Sequence, residues 1–231
     1  MSKHLQRDMD EIRRRLLALF GVVEQMIDNA VRALCERKQD LVTEVLSSDD
    51  YVDEQEVLIE EECLKILALH QPVAGNLRVV AAVLKINADL ERIADLACNI
   101  AERAQALCQF PYFPLPDELP RMATATTEML RYALDAFVNM NAKLAEQVIL
   151  MDNQVDQLNR EVIDELRGTM QDTPALIEPA LHSFSGARHI ERIGDLAESI
   201  AEDVIYIVEG KIIRHKHGAL YTKQQTQEPS E

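Results

Sequence analysis

The sequence writes one amphipathic run twice: residues 90–102 read LERIADLACNIAE and residues 190–202 read IERIGDLAESIAE, 100 residues apart. A chain that repeats a long helical motif at a fixed offset is built from two copies of one supersecondary unit. The repeat continues upstream at an offset of 103, where Ala30, Leu34, Leu41, Val45, Asp49, Val52 and Asp53 meet Ala133, Phe137, Leu144, Val148, Asp152, Val155 and Asp156. The change of offset places a three-residue length difference between the second and third helices of the unit, where a loop absorbs it.

Composition decides what the unit is made of. With no Trp, seven Gly, 4% aromatic residues and 47% hydrophobic residues in 231, the chain suits helices far better than sheets. The fold class expected is all-α, two tandem pseudo-symmetric three-helix bundles. Phe110–Pro120, FPYFPLPDELP, carries four prolines in eleven residues and must interrupt any helix. The division expected is therefore a first bundle over 1–109, a linker over 110–120, a second bundle over 121–210 and a polar tail over 211–231.

Within the first half the spacing predicts helices from about Leu5 to Arg37, from a cap at Asp40 to about Leu69, and from a first turn near Pro72 to a point before Pro111. In the second half the counterparts run from about Glu118 to Asn141, Lys143 to Met170 and Thr173 to Gly210. Thr173 and Pro174 form an N-cap and N1 pair, and Gly210 a stop. Leu16, Leu19, Val23, Ile27, Ala30, Val31 and Leu34 recur at three- and four-residue steps and define a core face. Met26, Met129, Met140 and Met151 read as core filling.

A net charge of −16 disfavours nucleic acid and anionic lipid, and permits a cation site or a basic protein partner. The N-terminus lacks a secretory signal and no apolar run approaches the roughly 20 residues that span a bilayer, so a cytoplasmic location is expected. Cys35, Cys63, Cys98 and Cys108 show no C-x-x-C spacing and read as small core residues.

The acids are not scattered. Glu91 and Asp95 stand at i, i+4 on one helix face, extended by Asn99 and Glu102, with Ile93, Leu96, Ala97 and Ile100 opposite. Glu191, Asp195, Ser199 and Glu202 repeat the stripe. The second helix of each half adds its own pair, Asp49 with Asp53 and Asp152 with Asp156. If the second and third helices are antiparallel neighbours, two carboxylate pairs face one another in each half. Arg92 with Asp95, Asp156 with Arg160 and Arg188 with Glu191 fit ordinary surface ion pairs. Asp49, Asp53, Asp152 and Glu91 have no Lys or Arg at ±3 or ±4 and do have a like charge one turn away. Either a metal site of hard oxygen donors for Mg²⁺, Mn²⁺, Ca²⁺ or iron, or an acidic docking surface, accounts for that pattern.

Motifs for catalysis are missing. The sequence contains no E-x-x-H, H-E-x-x-H, P-loop, G-x-G-x-x-G or G-x-S-x-G, and no organic cofactor is expected. His182 and His189 read as packing or surface residues, and His215 and His217 as solvated tail residues. No anion-binding loop or arginine cluster is visible to bind phosphate directly. A metal-dependent enzyme using the same carboxylates and a purely structural acidic scaffold are the alternatives to a regulatory reading.

Two three-helix repeats, QPVAGNLR at 71–78, and LERIADLACNIAE with its echo RHIERIGDLAESIAE resemble the PhoU family over about residues 5–217. The resemblance implies a non-enzymatic negative regulator of phosphate uptake and of the phosphate-starvation response. Its implied partners are the transporter ATPase subunit PstB and the sensor kinase PhoR, and it implies a homodimer. It also implies metal, chiefly iron, on E/D-x-x-x-D motifs. Carried across, these fall on Asp49, Asp53, Glu91 and Asp95, with Asn99 one turn on, and on Asp152, Asp156, Glu191 and Asp195. Ser199 stands where the family often has Asn, which puts ligation at that position in question.

Overall fold

The periodic apolar residues form one side of each helix and close over a shared core. A computed structural model describes residues 3–213 as six long α-helices: α1 (Lys3–Glu36), α2 (Gln39–His70), α3 (Ala74–Leu107), α4 (Glu118–Asn139), α5 (Ala142–Asp172) and α6 (Ile177–Glu209). α1, α2 and α3 pack together, α4, α5 and α6 do the same, and α3 and α6 join the bundles along a central seam. Leu16, Leu19, Val23, Ile27, Ala30 and Leu34 are buried, with Val31 partly buried beside them. Met26 and Met129 are buried, and Met140 and Met151 pack against the same core.

Helix ends are set by local chemistry, and the one at Gly210 falls where the sequence predicts it, whereas Asn141, expected to close the fourth helix, opens the fifth. Asn141 accepts hydrogen bonds from the backbone N–H groups of Lys143 and Leu144 and caps α5. Gly210 ends α6 at φ 71°, and Arg78 from the QPVAGNLR segment donates to the carbonyl of Ile207 in the last turn of that helix. Other ends differ from expectation. α2 starts one residue before Asp40, with Lys38 at the N-cap, so Asp40 acts through its charge in the first turn. Pro72 lies outside α3, whose N-cap is Val73. Pro174 opens a short 3₁₀ turn, Pro174–Leu176, ahead of α6, and the Thr173 side chain makes no capping bond.

The three-residue length difference falls where the offsets put it. Gln71, Pro72 and Val73 separate α2 from α3, whereas Thr173 alone separates α5 from the 3₁₀ turn, and α5 ends one residue sooner after Asp156 than α2 does after Asp53. The proline-rich linker is anchored rather than loose: Phe113 is buried, and Arg37 donates to its carbonyl. α4 begins within the linker as first drawn, so Pro120 sits in its first turns, where a missing N–H costs little. Lys211–Ile213 are non-helical, and His215 and His217 lie outside the described residues.

The seam between bundles is antiparallel. Lys85 meets Asp203 and Asp89 meets Ser199, a register whose centre falls at Ala94 and Gly194. α6 also approaches α1 closely at Gly186, where a Cβ would lie 3.0 Å from Leu34 Cδ2.

Two carboxylate faces and the seam between them

On the first bundle α2 and α3 bring all four predicted acids together. Burial raises the pKa of Asp95, and the charges of Asp49 and Asp53 raise it further. Glu91 is raised by burial and then by Asp95, Asp53 and Glu56, with Arg92 opposing. Among the described residues, none of Asp49, Asp53, Glu91 and Asp95 forms a salt bridge. Arg92, assigned from sequence to Asp95, turns the other way and pairs with Asp89 at 3.3 Å. The reason is position: Asp89 is buried in the seam at 6% exposure and gains more from a counter-charge than exposed Asp95 does.

Two residues that the sequence reading passed over belong to this face. Glu56, one turn past Asp53, lines a cleft of about 440 Å³ with Asp53, Val57, Ala88, Glu91 and Arg92. Its pKa is raised by burial and by Glu60 and Asp53. Asn87, fully buried, donates to the Glu56 backbone carbonyl at 2.8 Å and to its carboxylate at 3.3 Å, which fixes that side chain. Cys98 is not a plain core residue: its thiol donates to Asp49 Oδ1 at 3.4 Å, and burial with the Asp49 charge pushes its pKa up to about 12. The i+3 spacing of Glu56 and the i+7 spacing of Cys98 from motif acids were the available signals.

On the second bundle Asp156, Glu191 and Asp195 also interact, and Asp152 lies against the Gly194 backbone, its Oδ1 3.8 Å from a Cβ built there. This face is partly neutralised from within. Arg188 bonds Glu191 at 2.8 Å and Arg160 approaches Asp156 at 3.7 Å, both as the spacing predicts. Burial and Asp156 raise the Asp195 pKa while Arg188 and Arg192 pull it down.

The one-turn extensions diverge. Asn99 bends back to donate to the carbonyl of Asp95 at 2.8 Å, whereas Ser199 turns into the seam and donates to Asp89. The donor chemistry of both faces, all carboxylate oxygen at the motif positions, suits a hard cation. Among the described residues, however, no group of three His, Cys, Asp or Glu side chains is gathered tightly enough to hold one as the side chains stand. Nor is any helix of the described residues long and apolar enough to cross a membrane.

Two homologous three-helix bundles, joined by α3 and α6 and each carrying E/D-x-x-x-D pairs on its second and third helices, define a class of tandem-repeat helical proteins. The PhoU domain model matches residues 16–104 and again 119–204, and the chain belongs to the PhoU family. It is 37% identical over 216 residues to the phosphate-specific transport system accessory protein PhoU homolog of Pseudomonas aeruginosa, covering 93% of this chain and 89% of that one. It is 38% identical over 210 residues to the homolog of Deinococcus radiodurans, covering 91% of this chain and 99% of that one. The crystal structure of PhoU from Pseudomonas aeruginosa superposes with a TM-score of 0.86 at 37% identity, over 89% of this chain and 99% of that chain. The phosphate transport system regulatory protein PhoU from Streptococcus pneumoniae gives 0.84 at 25% identity, over 90% and 98%.

Proposed function

We propose that this chain is a non-enzymatic, cytoplasmic regulator of phosphate transport that restrains uptake and the phosphate-starvation response when phosphate is plentiful. It acts as an adaptor between the transporter ATPase subunit PstB and the sensor kinase PhoR. Membership of the family, and relatives named as accessory proteins of the phosphate-specific transport system, support the phosphate-transport role. The observation that carries the adaptor reading is the first acidic face, where four carboxylates crowd together with no Lys or Arg bound to them among the described residues. Crowded like charges cost stability unless a cation or a basic surface comes to them. Asp49, Asp53, Glu91 and Asp95 would hold a hard cation in the first half, and Asp152, Asp156, Glu191 and Asp195 in the second. A bound ion there would supply charge neutralisation, and the carboxylates would orient it.

The test is genetic and direct. Deleting the gene is expected to raise phosphate uptake and phosphate-responsive transcription in phosphate-rich medium, and an Asp53→Asn/Asp95→Asn allele is expected to restore repression poorly. Unchanged uptake and transcription after deletion would sink the reading.

A further inference from the structure

α2 holds a line of apolar side chains in water. Leu46, Val57 and Leu64 are 40%, 50% and 52% exposed. Steps of eleven and seven residues return to within about 20° around a helix, so the three stand one behind another over roughly 27 Å. The line lies outside the buried set Val45, Val52, Ile59 and Cys63. Asp50, Asp53, Glu60 and Glu61 stand between its members, all exposed. At its middle, Val57 and Ala88 form the apolar part of the cleft of about 440 Å³ that α2 makes with α3, where they meet Asp53, Glu56 and Glu91. Arg92, the remaining lining residue, is held by Asp89.

The second repeat shows what α2 lacks. At the offset of 103, Val57 falls on Arg160 and Leu64 on Arg167. Each of these arginines answers an acid of its own helix: Arg160 lies 3.7 Å from Asp156, and Arg167 lies 3.0 Å from Asp164. The matching acids of α2 are Asp53 and Glu61, and among the described residues neither forms a salt bridge. Lys65, the one Lys or Arg within α2, is held by Glu62 at 2.7 Å. Leu46 falls on Ile149, which is buried. α2 therefore puts apolar groups into solvent at the points where α5 carries the guanidinium groups that balance its acids.

We propose that the Leu46–Val57–Leu64 line of α2, with the cleft beside it, docks a basic amphipathic helix of a partner protein. The proposal rests on the adaptor reading and names the element that the partner presents. Apolar side chains seven and eleven residues apart on that helix cover the line. Lys or Arg beside them reach Asp53 and Glu61 as Arg160 and Arg167 reach Asp156 and Asp164. A metal ion meets the acids but leaves Val57 and Leu64 wet. A second copy of this chain, docked on the same face about a two-fold axis, sets acid against acid. Anionic headgroups of a lipid surface are repelled in the same way.

The experiment is fluorescence anisotropy of a labelled synthetic helix of about 18 residues, long enough to cover the line, titrated with the full chain in EDTA. The peptide carries leucines on one face at those spacings and lysines beside them. A second peptide of identical composition scatters the leucines around the helix. Saturable binding of the first is expected, about tenfold or more tighter than of the second and weaker as salt rises. Val57→Ser/Leu64→Ser keeps every charge in place and should weaken it about fivefold or more. Val57→Arg/Leu64→Arg, which copies α5, should weaken it further. All these side chains are exposed, so the melting temperature should hold in both variants. Equal binding of the two peptides, or binding indifferent to the serine pair, would overturn the proposal and reduce the face to an unspecific attraction for basic chains. The titrations use purified protein and so decide the docking chemistry separately from the gene deletion, whose lack of effect would strike the adaptor reading instead.

Discussion

The acidic face of the first repeat keeps its four motif acids apart from bases, whereas that of the second pairs two of its four. Asp49, Asp53, Glu91 and Asp95 have no salt-bridge partner among the described residues, while Arg188 and Arg160 sit on Glu191 and Asp156. In the seam the assignment is reversed: Arg92 and Lys85 meet Asp89 and Asp203 at one end, whereas the 100-residue repeat puts His189 and Arg103 in the places of those aspartates at the other. Duplicating a helical unit copies its packing face with little freedom to change, because the core is close-packed. Charged positions around that core are free to drift, and here they have drifted so that the two repeats pair their charges in different places.

The sharpest way to break this comparison is at the seam. Lys85→Met leaves buried Asp203 without its cation and should cost about 2 kcal/mol in denaturant unfolding, less than a fully buried pair because Lys85 is partly exposed. Ser185→Met, at the matching position, strands no carboxylate and should cost clearly less. Equal losses would show that the two ends are not electrically distinct.

Next in size is cation affinity. Thermal unfolding with added Mn²⁺ should show Asp53→Asn/Asp95→Asn weakening binding by about tenfold or more, with Asp156→Asn/Asp195→Asn weakening it less. The reverse order would mean that the internal arginines help rather than compete. Gly194→Ala copies Ala94 into the second repeat; the new methyl meets Val155 at 3.5 Å, an ordinary contact, so helix stability should rise by roughly 0.5–1 kcal/mol.

The smallest effect is on pH dependence. Asp95 and Glu91 have folded pKa values raised above 3.8 and 4.5. A raised acid destabilises the fold fully above its folded pKa, and the penalty fades as pH falls toward the unfolded value. Wild type should therefore gain a few tenths of a kcal/mol as pH falls from about 7 to about 4, the range of the unfolded carboxyl values, relative to Asp53→Asn/Asp95→Asn. Calorimetry at the two pH values measures it, and a wild-type loss over that window would contradict the crowding.

Much of the architecture is legible in the sequence because it rests on periodicity. The offsets of 103 and 100 fixed two equal bundles and located the loop that differs. The turns were harder: Arg37, Gln71 and Met140 take left-handed φ values of 55°, 44° and 48° without glycine or asparagine to announce them. The motif acids were placed on facing helices by spacing alone. Their neighbours were not, since spacing along one helix says nothing about which side chain arrives from another. Asp89 with Ser199, Lys85 with Asp203, and the Asn87 grip on Glu56 all depend on that second helix.

The anchored linker has a mechanical consequence. With Phe113 buried and its carbonyl held by Arg37, the short route between bundles is pinned at α1 and offers no free hinge. α3 packs along α6 through Ala94 and Gly194, and Arg131 on α4 pairs with Glu24 on α1, so three separate ties, linker, seam and ion pair, hold the two halves against one another.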